Sequence, residues 1–213
     1  MYDGNTVAWY KHNDSSFITY DGALRVSSWR DRLGSGHDLL QGAGASQPLW
    51  SAANGILFDG GDDFMKTLPF AFVQPEFIYF VGRQVTWTSA DTLYDGNLVN
   101  TCRLLQKTAG LSPELQGYVG IFSGTNSNLI LNTFGIIRFL VNGVASIFQV
   151  NLTAAWIGNM GAANAAGFTL GTRGDFALSW SNIEVKEIIL RNTADNAAVQ
   201  LQIYNYLKNA NGL

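Results

Sequence analysis

Short runs of β-branched and aromatic residues, interrupted every few positions by Gly, Asn, Ser or Asp, dominate the chain up to about residue 190. Phe77-Ile78-Tyr79-Phe80-Val81, set between Pro75 and Gly82, is apolar at every position. That predicts a strand covered on both faces rather than one with a wet side. Ile136-Ile137-Arg138-Phe139-Leu140-Val141 and Val144-Ala145-Ser146-Ile147-Phe148-Gln149-Val150 flank Asn142-Gly143, a dipeptide that accepts positive φ, and predict a hairpin closed by a tight turn. Further strands are expected over 117–122, 128–132, 168–171 and 183–190. The period then changes. After Thr193 or Asp195 as a cap, Ala197, Leu201, Tyr204 and Leu207 recur at helical spacing, Val199, Ile203 and Tyr206 widen the apolar face, and Gly212 marks the stop. No linker and no fixed-period repeat interrupts this order. The pattern predicts an all-β fold, a two-sheet antiparallel β-sandwich with a C-terminal α-helix packed on it, as a single domain over residues 1–213.

Composition changes the picture of the surface. Hydrophobic residues make up 47% and charged residues 14% of the chain, against about 25% charged in an average soluble domain. The surface is therefore built largely from Asn, Ser, Thr, Gln and Gly, with apolar area left over. Such a surface sheds water readily, so a bland soluble domain and a homo-oligomer both fit it. The net charge of −3 and the lack of any basic run argue against nucleic acid as a partner. The apolar runs are too short to cross a bilayer, so no membrane insertion is expected. Cys102 is the only cysteine, which excludes an intrachain disulfide and a cysteine-based zinc site and leaves a small buried hydrophobe as its expected role.

Two polar turns carry candidate chemistry. Asp59-Gly60-Gly61-Asp62-Asp63 puts three carboxylates into five residues, a density of hard oxygens that suits calcium, although the spacing is not that of an EF-hand. The other reading is a glycine turn whose Asp59, Asp62 and Asp63 side chains cap backbone amides. In Asp91-Thr92-Leu93-Tyr94-Asp95-Gly96-Asn97, with Trp87 just upstream, aromatic rings could cover a sugar's apolar face while Asp95 and Asn97 meet its hydroxyls. An ordinary loop with one anchoring aromatic is the alternative. Glu184 and Glu187 are the nearest acidic pair on a predicted strand, and their odd spacing places them on opposite faces, where they cannot flank one glycosidic bond. A structural role at the sheet edge or beside the helix is expected for Glu187. His12 and His37 lie in polar, loop-like contexts and are expected at the surface. No nucleophile elbow, P-loop or dinucleotide fingerprint occurs.

Taken as a set, Trp29 with Asp31, Phe58-Asp59-Gly60 with Asp62-Asp63, Gly171-Thr172-Arg173, and Glu187-Ile188-Ile189 ahead of the terminal helix resemble the concanavalin A-like lectin/glucanase superfamily. The resemblance covers nearly the whole chain and is to the laminin G-like type found in phage structural and bacterial surface proteins. It implies a jelly roll in which the first and last segments meet in one unit. Calcium-binding members of the family add weight to a metal at Asp59, Asp62 and Asp63. Glucanases on this scaffold carry Glu-x-Asp-x-x-Glu on one strand, and no such sequence occurs here. The expectation is a non-catalytic binding or assembly module, not an enzyme: a virion component such as a capsid-decoration, head-fibre or tail-associated protein. Its partners would be other virion or surface proteins, with carbohydrate binding or host adhesion to a cell-surface glycan through Trp87, Tyr94, Asp95 and Asn97. Met1-Tyr2-Asp3-Gly4-Asn5 shows no export pattern. Taken as the native start, it implies synthesis in a host cytoplasm and a virion location, or else a domain of a bacterial surface protein. The alternative is a polysaccharide hydrolase on the same fold, with an acid pair that the sequence does not reveal.

Overall fold

The computed structural model describes residues 3–176 and 178–213, so Met1 and Tyr2 of the N-terminal pattern lie outside the described residues. Its strands, in chain order, are β1 (Thr6–Lys11), β2 (Ile18–Tyr20), β3 (Val26–Trp29), β4 (Leu39–Leu40), β5 (Leu49–Ser51), β6 (Gly55–Asp59), β7 (Met65–Lys66), β8 (Glu76–Gln84) and β9 (Thr92–Asp95). There follow β10 (Arg103–Gln106), β11 (Leu115–Tyr118), β12 (Phe122–Asn126), β13 (Gly135–Val141), β14 (Ser146–Val150), β15 (Trp156–Gly158), β16 (Thr169–Leu170) and β17 (Asn182–Arg191), then the helix α1 (Ala197–Asn211). One sheet runs β15-β14-β13-β8-β17-β6-β5, with β1 added beside β17; the other runs β12-β11-β10-β9-β16-β7-β4-β3-β2. The result is the expected antiparallel sandwich with its C-terminal helix.

The apolar run of β8 serves two layers. Ile78 and Phe80 face the other sheet, in a core shared with Trp29, Phe58, Tyr94, Phe139, Phe148 and Phe168. Phe77, Tyr79 and Val81 face outward and are covered by Ile203, Tyr204 and Leu207 of α1. A strand buried on both faces needs no polar alternation, which is why it reads as continuous. The helix begins one residue beyond the predicted caps, at Asn196, whose side chain accepts from the Ala198 and Val199 amides. It ends as predicted at Gly212, in the left-handed conformation. Leu201 departs from the predicted apolar face and is 47% exposed. The 136–150 hairpin forms, but a 3-10 turn over Gly143–Ala145 replaces the two-residue turn. Residues 117–122 divide between β11 and β12, and 128–132 form a loop.

The two ends of the chain meet at β17. One side of this strand pairs with β8 throughout, while the other pairs with β6 over 182–185 and with β1 over 187–191. At the change of partner the register against β8 shifts between Val185 and Glu187, and the freed Lys186 carbonyl accepts from the His12 amide at 2.9 Å. Val185 and Ile188 both face the inner core, so Lys186 and Glu187 between them both project outward. This corrects the sequence expectation, because a bulge cancels strand alternation and places Glu184 and Glu187 on the same face. Gly55, at the start of β6, has φ +99°, and a Cβ there would lie 2.2 Å from the Val185 carbonyl oxygen. Only glycine fits that approach.

Glu187 is fully buried and accepts three hydrogen bonds: Trp9 Nε1 at 2.8 Å, the Tyr206 hydroxyl at 2.9 Å and Asn211 Nδ2 at 2.7 Å. It thereby joins β1, β17 and α1. Arg191, also buried, pairs with Asp195 at 2.7 Å and reaches Asp3 at 2.7 Å, and its guanidinium holds the Asp3 carboxyl well below the usual carboxylate range. Among the described residues no helix is long and apolar enough to cross a membrane. Replacing Glu187 with Ala should strand three donors and cost about 3 kcal/mol or more. Urea unfolding should show a lower midpoint at unchanged slope. Glu187→Gln, which keeps one acceptor oxygen, should cost less.

Candidate functional site

The four residues expected to bind a glycan do not share a surface. Tyr94 is fully buried, its ring 5.5 Å from Phe80, 6.0 Å from Phe139 and 5.3 Å from Phe168, so it faces no solvent. Asp95 is buried and accepts from the amides of Gly96, Asn100, Thr101, Cys102 and Gly174, which pins two loops to the end of β9. Asn97 donates to the Thr67 carbonyl at 3.0 Å and accepts from the Thr169 hydroxyl at 3.0 Å. Trp87 is half-buried and donates to the Glu114 carbonyl at 3.0 Å. Asp95, Asn97 and Trp87 spend polar groups on backbone amides or carbonyls, which cost heavily if left unpaired in the interior, whereas the buried Tyr94 hydroxyl has no hydrogen-bond partner among the described residues.

The two histidines are also placed differently from expectation. His12 is 4% exposed, its Nδ1 3.0 Å from the Lys186 carbonyl oxygen, and burial lowers its pKa. His37 is half-buried and stacked on Phe70, with centroids 3.9 Å apart. Cys102 is buried, as expected of a small hydrophobe. Glu184 is ion-paired with Arg83, and with Glu187 held by its three donors neither carboxylate is free to act in catalysis.

The other acidic turn does come together. β6 delivers Asp59 to the surface, and the chain reverses through Gly60 and Gly61 so that one oxygen from each of Asp59, Asp62 and Asp63 lies within 4.8 Å of the others. The late glycine-arginine turn packs beneath this one. A Cβ on Gly171 would lie 2.5 Å from the Phe58 ring and 2.9 Å from the Asp63 carbonyl oxygen, at a φ of +88°. Two of the carboxylates cap amides of the turn, Asp59 Oδ1 accepting from the Gly61 amide at 2.7 Å and Asp63 Oδ2 from the Asp59 amide at 3.1 Å, while Asp62 Oδ2 accepts from the Ser46 hydroxyl outside the turn at 2.8 Å. The capping role and the convergent carboxylates thus coexist. Burial, and then the charges of Asp59 and Asp62, push the Asp63 carboxyl up to about 6, against the opposing pull of the Asp59 amide and Arg25. A groove of about 140 Å³ opens here, lined by Arg25, Ala45, Gln47, Leu49, Asp59 and Asp63. Three clustered carboxylates fit a hard cation such as calcium, which takes about six to eight oxygens, so most of the shell would come from water or a ligand. Arg25 and Gln47 escaped the sequence reading because they are isolated in sequence and are gathered only by the pairing of Arg25 with Leu49 beside the β6 turn.

No protein-family model matches the sequence, and no curated protein does at the sequence level. Solved structures share the fold. Domain 4 of AbnA, a GH43 extracellular arabinanase from Geobacillus stearothermophilus in complex with arabinotriose, is 11% identical with a TM-score of 0.64, over 91% of this chain and 95% of that one. Trypanosoma rangeli sialidase in complex with sialic acid is 13% identical with a TM-score of 0.67, over 94% of this chain; the chain spans 33% of the sialidase. A mutant GH54 α-L-arabinofuranosidase soaked with 4-nitrophenyl α-L-arabinofuranoside is 13% identical with a TM-score of 0.68, over 95% of this chain and 62% of that one. At these identities the likeness establishes the β-sandwich common to glycosidase-related proteins. It also corrects the expectation of a non-catalytic virion module, since sialidase, arabinanase and arabinofuranosidase favour the carbohydrate-active alternative.

Proposed function

We propose that the chain is a carbohydrate-active domain that takes a glycan in the groove beside the Asp59–Asp63 turn. The observation that carries this reading is the groove's inventory: a carboxyl raised to about 6 at Asp63, the Asp59 carboxylate beside it, Arg25 and Gln47 as donors, and Leu49 as an apolar wall. The fold shared with an arabinotriose-bound domain, over nearly the full length of both chains, supports it. The Trp29, Phe58-Asp59-Gly60 and Gly171-Thr172-Arg173 motifs support the laminin G-like type within that fold.

Hydrolysis needs an acid for the leaving oxygen and a carboxylate for the anomeric carbon. Asp63, protonated over much of the range below its raised pKa, supplies the first; Asp59 supplies the second. An oxygen of each lies within 4.8 Å of the other, too close for the wider glycosidase geometry and on the side of the shorter one, in which the carboxylate attacks and water then releases the sugar. A second reading is favoured by the convergence of all three aspartates: a calcium ion held there would take the sugar hydroxyls directly.

Two outcomes test this. On a panel of arabino-, galacto- and sialo-oligosaccharides the protein should bind at least one ligand, and both Asp59→Asn and Asp63→Asn should cut any turnover by about 100-fold or more. Abolition of binding by a chelator selects the calcium reading, whereas failure to bind any sugar, or binding indifferent to both substitutions, overturns the groove as the site. Stability should also report on Asp63. With its folded pKa raised above the unfolded value of 3.8, the native state binds more protons between about pH 4 and 6. Stability should therefore rise as pH falls from 7 to 4, by roughly 1 kcal/mol after allowance for water in the groove, and Asp63→Asn should flatten that part of the profile.

A further inference from the structure

A second cleft, of about 650 Å³, lies between the last turns of α1 and the loop ahead of β13, with Asn132, Phe134, Asn151, Lys186, Tyr204 and Lys208 in its lining. We propose that this cleft binds an acidic saccharide, whose carboxylate or sulfate is held between Lys186 and Lys208 and whose hydroxyls meet Asn132 and Asn151. The bulge in β17 turns Lys186 outward, and its ammonium lies 4.3 Å over the Phe134 ring, with the Arg83 guanidinium 4.8 Å from the same ring. Arg83 has Glu184 as its partner, but among the described residues neither Lys186 nor Lys208 makes an ion pair. Arg138, its guanidinium 5.7 Å from the Tyr204 ring, is buried with Gln149 and Gln200 as hydrogen-bond partners and, among the described residues, no carboxylate. The cleft is thus a positive region on a chain whose net charge is −3, so an anion held there is drawn by local geometry rather than by the protein as a whole.

Burial and then the charge of Arg83 lower the pKa of Lys186, and Glu184 offsets this only in part. An anion in the cleft would relieve that cost. The carbonyl end of α1 opposes anions, and Lys208 in the last turn counters it. Asn151 accepts from the Ile136 amide at 2.9 Å through Oδ1, which leaves its amino group to donate. The cleft is several times the volume of the acidic groove and far larger than an inorganic anion requires. The saccharide part rests on the carbohydrate-active reading; the anionic part does not.

Calorimetric titration with trigalacturonate, neutral galactotriose, inorganic sulfate and inorganic phosphate tests it. Trigalacturonate should bind, weaken with rising salt, and lose about tenfold in affinity or more in Lys186→Gln and Lys208→Gln. Lys66→Gln, outside the cleft, should leave it unchanged. Thermal unfolding of each variant shows whether the fold is intact; both lysines lack ion-pair partners, so their loss should leave it so. Absence of binding, equal binding of galactotriose, sulfate or phosphate as tight as trigalacturonate, or sensitivity to Asp59→Asn but not to the lysine substitutions would each overturn the proposal. If the cleft binds trigalacturonate while the acidic groove binds no sugar, only the groove reading fails.

Discussion

The sandwich depends on one strand having two partners on the same side. β17 is zipped to β6 for its first residues and to β1 for its last, and the seam between them falls at Lys186. Two separate strands cannot butt end to end against a third without leaving backbone groups unpaired, and a buried unpaired carbonyl is costly. The amide of His12 closes the seam by bonding to the Lys186 carbonyl, and the register shift lets Glu187 come round to face α1. From there its carboxylate gathers a tryptophan from the first strand and a tyrosine and an asparagine from the helix. The bulge that secures the fold is thus also the device that projects a lysine into the cleft beside α1.

Much of this architecture was legible in the residues. The unbroken apolar run 77–81, the change to a helical period after 195 and the stop at Gly212 were each read correctly, because burial on two faces and helix caps leave local marks. The meeting of the chain ends was legible through motifs rather than periodicity. The bulge was not. Strand alternation carries no sign of a residue inserted at a change of partner, so Glu184 and Glu187 were assigned to opposite faces. The loop at 128–132 likewise has the composition of a strand, and only the tertiary arrangement excludes it.

The candidate site was half legible for a related reason. With only 14% charged residues, the protein uses its Asp, Asn and Tyr groups to complete buried backbone bonding, so a polar turn is as often internal wiring as a binding surface. Asp95 is the clearest instance, with its carboxylate spent on loop amides. Asp59, Asp62 and Asp63 resemble it in sequence but differ in position: they converge at an exposed turn, with Asp59 and Asp63 lining a groove. What distinguishes the two cases is the burial of the strand end that carries them.

The bond between Trp9 and Glu187 spans 178 residues of sequence. As the ribosome extends the chain, the first strand has no partner in its own sheet until β17 has been made. Closure of that sheet must therefore be a late and slow event, as it is for all folds rich in distant contacts. Until then the apolar faces of β1 and β8 are exposed, and a cell making this protein must keep a nearly complete but unclosed sheet from pairing with its neighbours.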